Sequence, residues 1–306
     1  MTEPVVGAPI RLGTRGSRLA RWQADWVAGE LQKQGCPVEI VPIVTEGDVQ
    51  QAGPVEAIGS QGVFTKAIQR ALVAREIDLA VHSLKDLPTA PVPGLMLAAA
   101  PPREAVGDAL VSPVADSLDG LPPGARVGTG SRRRRSQLLH RRPDLRVGDI
   151  RGNVETRLAK LDSGEFDAIV LAQAGLQRLG LADRITAQIP SDQMLPAPGQ
   201  GSLGIECRAD DSATRAAAAL LDCAATHAAV TAERAALARL EGGCMAALGA
   251  WGRFQGGRLL LSVVVLSDDG QRRLFEEGAG DDPQALGVEV ADRLLARGAA
   301  QLLRAR

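Results

Sequence analysis

A chain of 306 residues is about twice the length of an ordinary domain, so two or three compact units are expected rather than one. With 45% hydrophobic and 23% charged residues and a formal net charge of −1, its composition excludes disordered, collagen-like and coiled-coil classes. Aromatic residues make up 2% with no tyrosine, which argues against nucleic-acid binding by base stacking.

In chain order, IRLGT at 10–14 reads as a strand, and SRLARWQADWVAGELQKQG at 17–35 as a helix with Leu19, Trp26, Val27 and Leu31 on one face. VEIVPIV at 38–44 alternates as a second strand, FTKAIQRALVAREI at 64–77 is an amphipathic helix, and DLAVHS at 78–83 is a short apolar strand running into the turn KDLPTAP. After PPRE at 101–104 the same rhythm starts again. DALVS, RVGTGS, a helix from Ser131 to Arg142, RVGDIR, the helix of NVETRLAKLDSGE and the strand FDAIVLA follow in turn. Strands alternating with helices predict mostly parallel sheets in two similar halves. The Pro- and Gly-rich stretch IPSDQMLPAPGQGS at 189–202 reads as a connector, after which LGIECR resumes as a strand. From about 224 an alanine-rich helix, strands near 248–254, 258–266 and 271–277, and a helix from Pro283 to Ala296 predict a small α+β domain.

No segment is apolar for the roughly 18 residues that span a bilayer, and the start lacks a basic and then apolar leader, so a cytoplasmic protein with no membrane partner is expected. Cysteines at 36, 207, 223 and 244 show no CxxC spacing and accompany only three histidines, which predicts reduced thiols and no metal site. Lysine occurs only at 33, 66, 85 and 160, so arginine supplies the rest of the 35 basic residues. Because codon bias alone can produce that excess, position rather than number must carry any argument from arginine.

LGTRGSR at 12–18 and VGTGSR at 127–132 each run from a strand through Gly-Thr to a serine that opens a helix. Either this echo is chance in a Gly/Arg-rich chain, or each half aims a helix N-terminus, with its unpaired amides, at an anion. Ser131 can cap a helix whose first turn is Arg132 to Arg135, where cations are mildly unfavourable unless something anionic offsets them. A solvated basic face or a nucleic-acid patch is the alternative reading of the run, and helical spacing prevents all four from facing one ligand. Arg15 with Ser17, Thr129 with Ser131, and Arg151 all fall at strand-to-helix junctions, with Arg157 in the helix that follows. Guanidinium forks bind carboxylates bidentately, so the set suits a small polycarboxylate held in a cleft between the α/β halves. In HSLKDLP, Lys85 and Asp86 end a buried strand: the lysine suits a carboxylate, and the aspartate suits a proton donor or a stabiliser of developing positive charge, unless the two form a salt-bridged turn. Cys244, on the Gly-Gly loop LEGGC, is reachable for attachment through sulfur, although a lone cysteine is more often a small packing residue.

The segments TRGSRLA, GVFTKAIQRAL, DLAVHSLKDLP, VGTGSRRRRSQL, RRPDL, IRGNVETRLAKLD, PAPGQGSLGIECR and TAERAALARLEGGC resemble the porphobilinogen deaminase family in order and spacing along nearly the whole chain. The resemblance implies an α/β fold: two periplasmic-binding-protein-like domains with mostly parallel mixed sheets plus a small α+β C-terminal domain. It places domain 1 at 1–101 plus about 202–222, domain 2 at 102–201 and domain 3 at 223–306.

It also implies a hydroxymethylbilane synthase that condenses four porphobilinogen molecules on a covalent dipyrromethane primer, acting as a monomer with no nucleic-acid partner. By the family's pattern the primer is held by a thioether at Cys244, and Asp86 is catalytic. Lys85, Asp86, Thr129, Ser131, Arg133 and Arg134 fall on primer-holding positions, and Arg15, Ser17, Arg151, Arg157, Arg178 and Gln200 on substrate-holding ones. Departures from the pattern are Glu46, Gln61, Gly130, Arg132 and the MAA that follows Cys244. The α/β halves taken alone would also permit a two-lobed binding protein for a small polycarboxylate without chemistry.

Overall fold

The computed structural model describes residues 8–44, 65–241 and 246–304. The loop positions Glu46 and Gln61, and Cys244 with its neighbour Met245, lie outside the described residues. In order, the first elements are β1 (Ile10–Thr14), α1 (Arg18–Lys33), β2 (Val38–Pro42), α2 (Lys66–Val73), β3 (Leu79–Ser83) and β4 (Leu95–Ala99). Next come β5 (Asp108–Val111), β6 (Arg126–Gly128), α3 (Arg132–Arg141), β7 (Arg146–Gly148), α4 (Val154–Asp162), β8 (Ala168–Ala172), α5 (Gln173–Arg178) and β9 (Ala187–Ile189). Last are β10 (Leu203–Arg208), α6 (Ser212–Ala219), α7 (Ala224–Arg239), β11 (Leu248–Gln255), β12 (Arg258–Leu266), β13 (Arg273–Gly280), α8 (Pro283–Ala296) and α9 (Ala299–Arg304). Contacts divide the chain into two compact units, residues 1–102 with 203–227, and residues 103–202 with 228–306.

In the first unit the sheet order is β2-β1-β3-β10-β4, with β1 parallel to β2 and β3, and β10 antiparallel to β3 and β4. Side chains alternate across β3. Leu79 and Val81 join Leu12, Val27, Leu31 and Ile205 in one core cluster, while Ala80 joins Ile68, Leu72 and Ile77 in another. Burial on both faces is why this strand reads as a continuous apolar run rather than an alternation.

The second unit repeats the plan in the order β7-β6-β8-β5-β9, with β6 parallel to β7 and β8, and β5 antiparallel to β8 and β9. Strand β6 thus occupies the place of β1 in its own sheet, and both run into a serine-capped helix. The echo between 12–18 and 127–132 is therefore a structural repeat. Gly130 sits where an added Cβ would come within 2.9 Å of the Ile150 carbonyl oxygen, so the turn before α3 has no room for a side chain without moving backbone.

The same unit carries the antiparallel meander β11-β12-β13. Leu259, Leu261, Val263 and Val265 of β12 pack with Ala232, Ala236, Val290 and Leu294, while Val264 and Leu266 on its other face meet Leu195. The turn after β12 is seated on α3. Gly270 has φ +74, and a Cβ there would come 2.5 Å from the His140 amide nitrogen and 2.6 Å from the Ser136 carbonyl oxygen; glycine meets both demands. Beside it, Arg132 Nη2 donates to Asp268 Oδ2 at 2.6 Å, so the arginine that departs from the family pattern joins α3 to this turn.

Glu233, wholly buried in α7, accepts from Arg103 Nη1 at 2.6 Å and Nη2 at 3.1 Å, from Gly199 N at 2.6 Å and from Gly252 N at 2.7 Å. One carboxylate therefore ties together the loop that enters this unit at Arg103, the Pro/Gly connector and the C-terminal sheet. Removing one partner of a buried ion pair costs about 3–5 kcal/mol. Glu233→Ala is expected to lower Tm by on the order of 10 °C by differential scanning calorimetry, and an unchanged Tm would show that the pair is dispensable.

Candidate functional site

In the first unit, Ser17 leaves β1 in an extended conformation (φ −65, ψ 148), and its Oγ accepts from Ala20 N at 3.3 Å, capping α1. Capping of this kind satisfies one of the unpaired amides at a helix start. Strand β3 ends at Ser83 and is followed by a 3-10 turn, Leu84–Asp86, whose buried Leu84 and Leu87 anchor it to the core. The turn leaves Lys85 half-buried and Asp86 exposed. Arg15, Ser17 and Asp86 line one pocket with Gln23, Thr65, His82 and Ser83, so the structure brings together the arginine, the serine and the aspartate that the sequence singled out. Lys85 stands in the same turn but is not among the pocket's lining residues.

Gln23, His82 and Glu206 were not foreseen. The buried Gln23 donates from Nε2 to Ser83 Oγ at 2.9 Å. Buried His82 Nε2 lies 3.2 Å from Glu206 Oε2, and Gln69 Nε2 donates to both Glu206 oxygens at 3.0 and 3.2 Å.

In the second unit, Ser131 caps α3 through an Oγ contact from Arg134 N at 3.4 Å, and Thr129 Oγ1 accepts from Ser131 N at 3.2 Å. Helical spacing splits the arginine run as expected. Arg133 and Arg134 are buried, Arg132 turns to Asp268, and exposed Arg135 donates to the Val147 carbonyl at 2.7 Å. At the centre of the buried pair is Asp108, the fully buried first residue of β5. It accepts from Arg133 Nη1 at 2.7 Å, from Arg134 Nε at 2.9 Å and Nη2 at 2.8 Å, and from Gln200 Nε2 at 3.0 Å. Arg133 also donates to the Leu195 carbonyl at 2.7 Å, and Arg134 to the Val170 carbonyl at 2.9 Å.

Electrostatics follow from this count of charges. Burial pushes the Asp108 carboxyl upward, but the fields of Arg133 and Arg134 outweigh it and hold the group at about 2. Arg134 falls to about 10, because burial disfavours its cation, Asp108 restores part of that loss, and Arg133 and Arg157 repel it. One carboxylate facing two guanidiniums gains from both, whereas each guanidinium gains from one partner and loses to its neighbour. Arg134 stays cationic at neutral pH, and two guanidiniums facing one carboxylate leave the cluster with an excess of positive charge.

The other arginines are placed less centrally. Half-buried Arg157 donates from Nε to the Gly152 carbonyl at 2.9 Å, and half-buried Arg151 has Nη2 4.0 Å from Asp149 Oδ2. Arg178 is buried, donates from Nη2 to the Gly201 carbonyl at 2.7 Å, and has its pKa lowered by burial. Arg133, Arg134 and Gln200 therefore share Asp108, Arg157 acts on Arg134 through its field, and Arg178 meets the connector one residue beyond Gln200.

Asp108 was missed because a single aspartate at the start of DALVS looks like a solvated strand end. The available signal was that an Asp heading a wholly apolar strand needs a cation if the strand is central. Among the described cysteines, burial pushes the Cys207 thiol up to about 11, which makes it a poor nucleophile, whereas contacts from Thr226 lower that of Cys223.

Two family models match the chain: "Porphobilinogen deaminase, dipyromethane cofactor binding domain" over residues 10–216, and "Porphobilinogen deaminase, C-terminal domain" over residues 227–296. A curated porphobilinogen deaminase of Desulforudis audaxviator is 52% identical over 298 residues, covering 96% of each chain. Those of Acidithiobacillus ferrooxidans and Syntrophotalea carbinolica are 49% and 48% identical, covering 96% and 97% of this chain and 97% and 95% of theirs. Among solved structures, the methionine-binding protein MetQ aligns over 69% of this chain and 88% of its own at 15% identity, with a TM-score of 0.45. A putative methionine-binding lipoprotein from Bacillus subtilis aligns over 71% and 91% at 14% identity, with a TM-score of 0.44.

Proposed function

We infer the chemistry of this site from one premise, that the chain belongs to the porphobilinogen deaminase family. The protein is a transferase that joins four porphobilinogen molecules head to tail and then releases the linear tetrapyrrole hydroxymethylbilane by hydrolysis. Each condensation breaks the aminomethyl C–N bond of an incoming porphobilinogen and the α C–H bond of the receiving pyrrole, forms one C–C bond, and frees ammonia, which carries away that proton. When bound, the dipyrromethane cofactor supplies the pyrrole carbon at which the first of these C–C bonds would be made.

The residues of the second unit suit a ligand of this kind, whose pyrroles carry acetate and propionate groups. The observation that carries the reading is the buried Arg133–Arg134 pair sharing the single carboxylate of Asp108, with Arg157 adding to the same field. A positive excess held at low dielectric favours binding of further carboxylates. Thr129, Ser131, Arg133, Arg134 and Lys85 are assigned to the primer, and Arg15, Ser17, Arg151, Arg157, Arg178 and Gln200 to the acid groups of substrate. Asp86, exposed on an anchored turn in a pocket that also holds Arg15, is assigned the proton work: as an acid it assists departure of ammonia, and as a carboxylate it offsets the positive charge left on the ring. The same reading takes the enzyme as a cytoplasmic monomer.

Cys244, which lies outside the described residues, is assigned the thioether. The intact mass of the purified protein is expected to exceed that of its sequence by two porphobilinogens less two ammonias. Cys244→Ser should abolish the excess, and Cys223→Ser, which removes the thiol whose pKa Thr226 lowers, should leave it in place. An active protein with the bare sequence mass would overturn the assignment.

A further inference from the structure

Two residues of β10 support the turn that carries Asp86. In the antiparallel pairing of β3 with β10, Gly204 lies opposite His82 and Glu206 opposite Ala80, so both β10 residues share the sheet face that His82 uses. At Gly204 an added Cβ would fall 2.7 Å from Leu84 Cδ1, so the missing side chain leaves the space in which Leu84, the anchor of the 3-10 turn, is seated. Two residues along, Glu206 holds His82 at 3.2 Å and Gln69 of α2 at 3.0 and 3.2 Å. His82 and Leu84 flank Ser83, and the chain reaches Asp86 two residues after Leu84.

Glu206 is only 5% exposed among the apolar residues packed between the sheet and α2. A carboxylate there contributes little to stability that a well-packed apolar group would not, since desolvation offsets most of the gain from a buried polar contact. What the trio does add is geometric. His82 together with Thr65 and Ile68 forms one side of the Asp86 pocket, and the Glu206 bridge fixes the end of β3 to the helix that carries Ile68. The 3.2 Å contact between Glu206 Oε2 and His82 Nε2 holds the plane of the ring.

We propose that Glu206 is a positioning residue for the transferase reaction, acting through His82 and Gln69 to hold the pocket wall and the turn from which Asp86 works. This rests on the functional reading above. Such support is expected to affect the chemical step, because displacement of a catalytic group by about 1 Å costs on the order of 100-fold in rate.

The test compares Glu206→Leu with Glu206→Gln, using purified protein that carries its primer. Gln at 206 can still accept from His82 and can bond a flipped Gln69 amide, whereas Leu can do neither. For Glu206→Leu, kcat for porphobilinogen consumption per primer-bearing molecule is expected to fall about 10- to 100-fold with KM within about twofold of wild type, and for Glu206→Gln to stay within about threefold. His82→Asn, measured in the same way, should follow Glu206→Leu. Full wild-type kcat in folded, primed Glu206→Leu would overturn the proposal, as would a change in KM alone. Failure of both Glu206→Leu and His82→Asn to fold would also overturn it, making the contact structural. Wild-type protein that does not consume porphobilinogen would instead bring down the functional reading, and this inference with it.

Discussion

An Asp86→Asn enzyme folds, carries its primer and turns over porphobilinogen about 10²- to 10⁴-fold more slowly than wild type, the range expected for loss of a positioned proton-transfer group. The structural reason for separating activity from stability is that Asp86 is exposed, while the turn that presents it is anchored by its buried neighbours Leu84 and Leu87. Substitution at an exposed position away from packing and capping contacts changes stability by roughly 0.5 kcal/mol or less. Single-turnover consumption of porphobilinogen, thermal melting and primer content should therefore diverge, with only the first collapsing. Activity within about twofold of wild type would remove Asp86 from the chemistry. A fall in melting temperature parallel to the fall in rate would show that the turn, and not the carboxyl, had been lost.

Asp108→Ala carries an expected cost in stability as large as that of Glu233→Ala. It leaves Arg133 and Arg134, 4% and 5% exposed, with their shared counter-charge gone, a situation that costs about 3–5 kcal/mol. Asp108→Asn is the milder change and isolates the charge. The folded-state pKa of Asp108 is depressed, to about 2 against an ordinary 3.8, so its contribution is fully present above pH 4 and is lost as pH falls through 2. Its size is roughly 2 kcal/mol, from the shift of nearly two pH units. Urea unfolding of wild type and Asp108→Asn should accordingly differ most at neutral pH, with the difference shrinking between pH 4 and pH 2. A difference independent of pH over that window would mean that folding leaves the pKa of Asp108 unchanged. Both variants should also lose primer or substrate binding, because the two guanidiniums are no longer held in place.

How far the sequence could be read is clearest at α3. Ser131 as its cap, the inward and outward halves of the arginine run, and the repeat that relates this junction to the one at Ser17 all follow from local rules of capping and helical spacing. The meander and the helix Pro283–Ala296 were equally legible, because their periodicities are uninterrupted. Partners remote in sequence were not. Asp108 meets Arg133 across 25 residues and Glu206 meets His82 across 124, and no local pattern encodes either pairing. Glu233 stood unnoticed in an alanine-rich helix because one acidic residue there reads as a solvated position until Arg103 is found opposite it. Strand β4 and the short β9 were likewise missed, since each is fixed by pairing with a neighbour rather than by its own pattern. Arg132 stood out only as a departure from the family pattern, and the structure gives it Asp268 on the turn that α3 supports.

Strand β10 lies between β3 and β4 in the first sheet, although it is made about 100 residues after them. At a synthesis rate of about 5–20 residues per second, a nascent chain leaves those two neighbours without the strand that joins them for roughly 5–20 s. During that interval their unpaired edges are open to mispairing, and the ribosome's attendant chaperones would have reason to hold the first hundred residues until Ile205 emerges.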